Sequence, residues 1–142
     1  MAKHENNGKC EKCNLMIYEG LLHGTLRYWF KALQETYPDV HLAHTYRGKE
    51  EQNKYFREGK SKAKFGQSPH NYIPCLAMDI FFLVNGKYNA DLKRLKQIAS
   101  EMPDGLTWGG SFKGFVDGVH FEKTNWKIIA DNYPNGNKNE NA

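Results

Sequence analysis

From Leu21 onward the apolar positions of this chain switch repeatedly between two spacings. Leu22, Leu26, Trp29, Phe30 and Leu33 follow one another in steps of one, three and four, which puts them on one face of a helix. Pro38 ends that helix. Residues 40–46 alternate instead, and read as a strand with Val40, Leu42 and Tyr46 turned inward. A second, more polar helix is expected from Lys49 to about Glu58, stopping near Gly59. Lys60–Gln67 is basic and polar and reads as a loop. Leu76–Val84 is an apolar run whose only charge is Asp79, the mark of a buried strand. Asn85-Gly86 is a hairpin-turn pair, and Lys87-Tyr88-Asn89 starts the return. Asp91 caps a helix carrying Leu92, Leu95, Ile98, Ala99 and Met102 on one face, and Pro103-Asp104-Gly105 breaks it. Leu106-Thr107-Trp108 leads into Gly109-Gly110, and Val119-His120-Phe121 reads as a short final strand. Trp126, Ile128 and Ile129 are expected to pack back on the core.

These elements predict a single α+β domain. Its small antiparallel sheet holds residues near 42–46, 77–84 and 119–122, with the helices near 22–36 and 91–102 on one face. The short connections and the Asn85-Gly86 turn argue for antiparallel pairing, because parallel strands need long crossovers. The expected organisation is a polar N-terminal arm over 1–20, the domain over 21–130, and a disordered Asn- and Gly-rich tail over 131–142. Apolar residues at 39% and aromatics at 13% suit a packed core and exclude a disordered chain.

Charge narrows the function classes only a little. Twenty Lys and Arg against sixteen Asp and Glu give a net charge of +4. A nucleic-acid binder concentrates its charge more than this, whereas mild attraction to an anionic polymer such as a bacterial cell wall fits. The first residues are polar and no apolar run reaches membrane-spanning length. The protein is therefore expected to be made in a cytoplasm and to stay there until released. Three cysteines do not suggest a disulfide framework. Cys10-Glu11-Lys12-Cys13 could form a small zinc site with His4 or His23, but a lone CxxC is more often two ordinary thiols.

The candidate chemistry begins at Asp79. A carboxylate inside an apolar strand must be paired, hydrogen-bonded or bound to a metal. His70 ends the preceding loop, and His120 lies in the last strand. Two histidines and an aspartate are a ligand set that zinc accepts, and three protein ligands leave a fourth position open for water. Asp117, three residues before His120, is a candidate general base, with Gly118 expected to allow the turn that brings both to one site. Arg47, at a strand end, could stabilise an oxyanion or hold a substrate carboxylate. Taken singly, His70 is an ordinary loop histidine, His120 a core histidine and Arg47 a surface ion pair. Their coincidence with a charge in an apolar strand favours the shared site. His41 and His44 read as surface residues or as supports behind the ligands.

These residues carry a family resemblance. Ser68-Pro69-His70, Ala77-Met78-Asp79 and Asp117-Gly118-Val119-His120, with Tyr46-Arg47 and Trp108-Gly109-Gly110, resemble the zinc D-alanyl-D-alanine carboxypeptidase and L-alanyl-D-glutamate endopeptidase family, which includes many phage endolysins. The resemblance spans roughly residues 40–126. It implies a D-Ala-D-Ala peptidase/hedgehog-like fold, a zinc ion on His70, Asp79 and His120, Asp117 as the base and Arg47 on the reacting carbonyl. Ser68, Gln52 and Trp108 would contact substrate. The implied activity is zinc-dependent hydrolysis of a stem-peptide bond in peptidoglycan, L-Ala-D-Glu first among the choices, by a monomer acting on the wall after release. The eight residues 71–78 between His70 and Asp79 exceed the family's usual gap, the usual glycine is missing, and Cys75 is a soft ligand in principle. Two other readings stand beside this one: a non-catalytic wall-binding or virion component that keeps the fold, and a zinc-stabilised nucleic-acid binder using Cys10, Cys13 and the Lys60–Lys64 stretch.

Overall fold

In the computed structural model, residues 7–10 and 15–133 are described, with side chains from Glu19 onward. A short hairpin pairs β1 (Asn7–Cys10) with β2 (Leu15–Tyr18). Helix α1 runs Gly24–Thr36, followed by β3 (Val40–His44) and α2 (Lys49–Arg57). After the loop come β4 (Ala77–Val84), β5 (Lys87–Asn89) and α3 (Leu92–Ser100). β6 (Leu106–Trp108), β7 (His120–Lys123) and α4 (Trp126–Asp131) close the domain. The main sheet has the order β3-β4-β7-β6, with β5 also on β4, and every pairing in it is antiparallel.

The turn at Asn85-Gly86 has positive φ at both residues, 52° and 75°, as a tight hairpin between twisted strands requires. The Asp91 side chain accepts from the Lys93 amide at the start of α3. β6 and α4 go beyond the sequence reading. β6 is three residues long, too short to show a period, and Ile128 of α4 faces solvent at 63% exposure. Trp126 and Ile129 do pack inward, against Tyr72, Leu76 and Ala130. Tyr133, just past α4, donates to the Pro74 carbonyl. Cys13 and residues 134–142 lie outside the described residues, as does the Cys10 side chain.

The sheet divides the molecule. Its inner face, with Val40, Leu42, Met78, Ile80, Phe82 and Phe121, meets the apolar sides of α1 and α3. Trp29 of α1 sets its ring edge-on to Phe121 at 5.3 Å between centroids. The helices thus take one face, as the sequence predicts, and the residues of opposite parity in β4 and β7 emerge on the other. Asp79 and His120 are direct cross-strand partners there, as are Ala77 and Glu122. β3 contributes to both faces through a register shift between Leu42 and His44. Without that bulge these two residues would share a face; with it Leu42 pairs with Ile80 in the core and His44 pairs with Asp79.

Candidate metal centre

Three ligand atoms converge on the outer face. His120 Nδ1 lies 3.0 Å from Asp79 Oδ1, His70 Nε2 lies 3.3 Å from the same oxygen, and the two nitrogens are 3.2 Å apart. All three residues are buried. A tetrahedral ion with bonds of about 2.0–2.1 Å needs its ligands about 3.3–3.4 Å apart. The triangle is slightly tighter than that but close to the size of a metal site and has its donor chemistry, and it forms the candidate metal cluster of the described residues.

Local structure places each corner. His70 sits in a 3-10 turn, Pro69–Asn71, whose first residue is a proline and whose cap is Ser68. Ser68 Oγ accepts from the His70 amide at 3.2 Å, and Asn71 Oδ1 reaches back to the Ser68 amide. The lengthened connection to Asp79 is absorbed away from the site. Ile73 is half-buried and Pro74 exposed, Leu76 N returns to the Pro69 carbonyl, and Cys75 pairs its backbone with Leu21 and His23. Cys75 does not join the cluster: its Sγ lies 3.2 Å from the Ala77 carbonyl, and burial pushes its thiol up to about 12.

Each ligand is held from behind. His70 Nδ1 donates to the Thr45 carbonyl at 2.7 Å, leaving the Nε2 lone pair facing the cluster. Burial drives this imidazole down to about 4, against the attraction of Asp79, so it is neutral. The other oxygen of Asp79 meets His44 Nδ1 at 3.2 Å and Arg47 Nη2 at 3.7 Å. Burial alone would raise this carboxyl; the facing His70 and the hydrogen bonds from His120 and His44 hold it well below the ordinary range. His120 Nε2 lies 2.7 Å from Glu122 Oε1. Burial would lower His120, but its hydrogen bonds to Asp79 and Glu122 outweigh that and lift it to about 10 in the metal-free protein.

Asp117 lies on the turn before β7, where the His120 amide donates to the Asp117 carbonyl. Gly118 lies in that turn, as expected, and reaches it without a positive φ. Its smallness also serves packing, since a Cβ there would sit 3.0 Å from the Leu92 side chain. Gly109 is the stricter requirement: a Cβ would fall 2.3 Å from the Asp117 carbonyl oxygen and 3.0 Å from His120 Cβ. Burial, then repulsion from Asp79, raise the Asp117 carboxyl above its ordinary value. A carboxyl shifted this way beside a metal cluster suits proton transfer.

Arg47 lies beside the cluster, buried, with its guanidinium 4.8 Å from the centre of the Tyr55 ring. Its Nη1 donates to Gln52 Oε1 at 3.1 Å. Here the structure departs from the residues expected to meet substrate. Gln52 is fully buried, and its amide is spent on Arg47, Asn71, Ser61 and the Ala63 carbonyl. It fixes Arg47 and closes the 61–63 loop, and no surface remains for a substrate. Ser68 is likewise buried and serves as the cap for His70. Trp108 is half-buried and directs its ring N–H to the Gly118 carbonyl at 2.7 Å, tying down the segment that carries Asp117. The lysines of the basic stretch lie over rings, Lys60 over Tyr55, Lys62 over Phe115 and Lys64 over Phe56.

Sequence reasoning missed Glu122, and His44 was left open between two roles. The signal for Glu122 was present: in a strand, residues two apart share a face, so His120-Phe121-Glu122 puts the carboxylate beside the imidazole.

Two comparisons bear on this arrangement. Residues 61–123 match a family model described as D-alanyl-D-alanine carboxypeptidase. That span holds all three candidate ligands, Asp117 and Glu122, while Arg47 and Gln52 precede it. The fold is similar to the crystal structure of Serratia marcescens L-Ala D-Glu endopeptidase ChiX, with a TM-score of 0.64 and 21% identity over 78% of this chain and 86% of that one.

Proposed function

We propose, from the D-alanyl-D-alanine carboxypeptidase family to which the 61–123 segment conforms and from the geometry beside it, that this protein is a zinc-dependent peptidase of bacterial peptidoglycan. The observation that carries the reading is the equilateral set of His70 Nε2, Asp79 Oδ1 and His120 Nδ1, with edges of 3.0–3.3 Å, beside an acid and a guanidinium. Zinc held there would supply a Lewis acid that polarises a peptide carbonyl and makes water acidic near neutral pH. Asp117 takes the proton from the attacking water and returns it to the leaving amine. Its raised proton affinity suits both halves of that transfer. Arg47, held by Gln52 and Tyr55, neutralises the charge that develops on the carbonyl oxygen. His44 and the Thr45 carbonyl keep Asp79 and His70 aimed at one point.

Among stem-peptide bonds, L-Ala-D-Glu is the proposed target, in line with the named activity of the structural neighbour. The proposed setting is endolysin-like: synthesis in a cytoplasm, then action on the wall after release. Purified peptidoglycan digested with zinc-loaded protein should yield new alanine carboxyl and glutamate amino ends by mass spectrometry. Intact peptidoglycan after digestion with protein carrying one zinc per chain would overturn the peptidase reading and leave a wall-binding role.

A further inference from the structure

The proposed centre contains one carboxylate that the peptidase reading leaves without a task. Glu122 lies two residues after His120 on β7, between Ala77 of β4 and Thr107 of β6. Its side chain is only 15% exposed, and Oε1 lies 2.7 Å from His120 Nε2. Nε2 is the ring nitrogen away from the cluster; Nδ1 is the one 3.0 Å from Asp79 Oδ1 and 3.2 Å from His70 Nε2. A neutral imidazole has one N–H and one lone pair. A proton held on Nε2 by Glu122 leaves the Nδ1 lone pair facing the cluster. It also resists a flip of the ring, which would turn Nε2 toward the ion and leave Nδ1 opposite Glu122 in a different geometry.

The other ligands show what is distinctive here. His70 rests on a neutral backbone carbonyl, and Asp79 on the cationic Arg47 and on His44. The His120 support alone is a carboxylate side chain, the kind of partner that strengthens an imidazole as a donor to a cation. Being on the far side of the ring, Glu122 acts through His120.

We propose that Glu122 is the positioning residue that fixes His120 as an Nδ1 metal ligand and sets the affinity of the centre. This rests on the zinc reading above, and the test separates the two. Metal-free wild type, Glu122→Ala, Glu122→Gln and His70→Ala proteins are titrated with zinc against a chromophoric chelator. Wild type should bind one zinc and His70→Ala should lose it. Glu122→Ala should weaken binding about 10–100-fold. Glu122→Gln, whose amide oxygen still accepts from Nε2–H, should lose less. Circular dichroism in chelator reports whether each variant folds, and the near-isosteric glutamine variant carries the test if alanine destabilises the sheet.

The second readout is nitrogen NMR of the histidine rings in zinc-loaded protein. Wild type should show His120 with Nε2 protonated as a single species, and weakening at Glu122 should bring a second ring state. Wild-type affinity together with an unchanged single ring state in both Glu122 variants would overturn this proposal while leaving His70-dependent zinc binding intact. Zinc binding that ignores His70→Ala, or none in wild type, would remove the ligand assignment and this proposal with it.

Discussion

Replacing Gln52 with alanine should be among the most damaging single changes in the molecule, although the residue lies on a polar helix. Its amide oxygen accepts from Arg47 Nη1 and Asn71 Nδ2 at 3.1 Å each, and its nitrogen donates to Ser61 Oγ at 3.1 Å and the Ala63 carbonyl at 2.7 Å. A buried hydrogen bond contributes about 1 kcal/mol net, more when a charge is involved. Removing the set should therefore cost about 4 kcal/mol, a large share of the roughly 5–15 kcal/mol that holds a domain folded. With a urea slope of about 2 kcal/mol/M, the unfolding midpoint should fall by about 2 M at an unchanged slope. Gln52→Glu should fall between the two, since it keeps oxygens for Arg47 and Asn71 but turns one against the Ala63 carbonyl. Hydrolysis should drop chiefly through kcat, because Arg47 loses its anchor. A Gln52→Ala protein with a wild-type midpoint and a raised KM would refute this reasoning and return Gln52 to the substrate.

Three further outcomes are expected. Asp117→Ala should keep one zinc by elemental analysis while peptidoglycan hydrolysis falls about 10²–10⁴-fold; loss of the metal would make Asp117 a ligand. The paired hydrogen bonds from Arg94 hold Asp39 below the ordinary carboxylate value. The folded protein therefore keeps this group ionised where the unfolded chain begins to protonate. The pair's stabilisation is complete above the unfolded aspartate value and disappears as pH falls through the lower folded one. Asp39→Asn should thus be less stable than wild type at pH 7, and the gap should close below about pH 4; a gap independent of pH would contradict the assignment. In a Cys10→Ser/Cys13→Ser background, the Cys75 thiol, raised to about 12 by burial, should react with a disulfide reagent only in denaturant. Rapid labelling of the native protein would show that this part of the core opens.

The convergence of His70, Asp79 and His120 was legible because these candidate ligands sit where local rules are strict. A lone carboxylate in Leu76–Val84 demands a partner, and His70 and His120 flank it in recurring short motifs. Helices α1 and α3 and the β4–β5 hairpin were legible from period, cap and turn residues. The supports behind the ligands were less so. His44 reaches Asp79 only because β3 carries a bulge, and alternation by itself would have sent it to the face of Leu42. Gln52 looks like an exposed residue of a polar helix until the 61–63 loop folds over it. β6 gains its strand character from pairing with β7, a tertiary effect that its three residues cannot signal alone.

One support differs from the rest in what a genome can do to it. His70 leans on the peptide oxygen of residue 45, a group that every amino acid carries. No point substitution there removes the oxygen that accepts from His70. A one-residue insertion or deletion between Val40 and Arg47 has the opposite effect, because it displaces the oxygen itself. In homologous chains the length of this segment should therefore be held constant, whichever side chain stands at position 45.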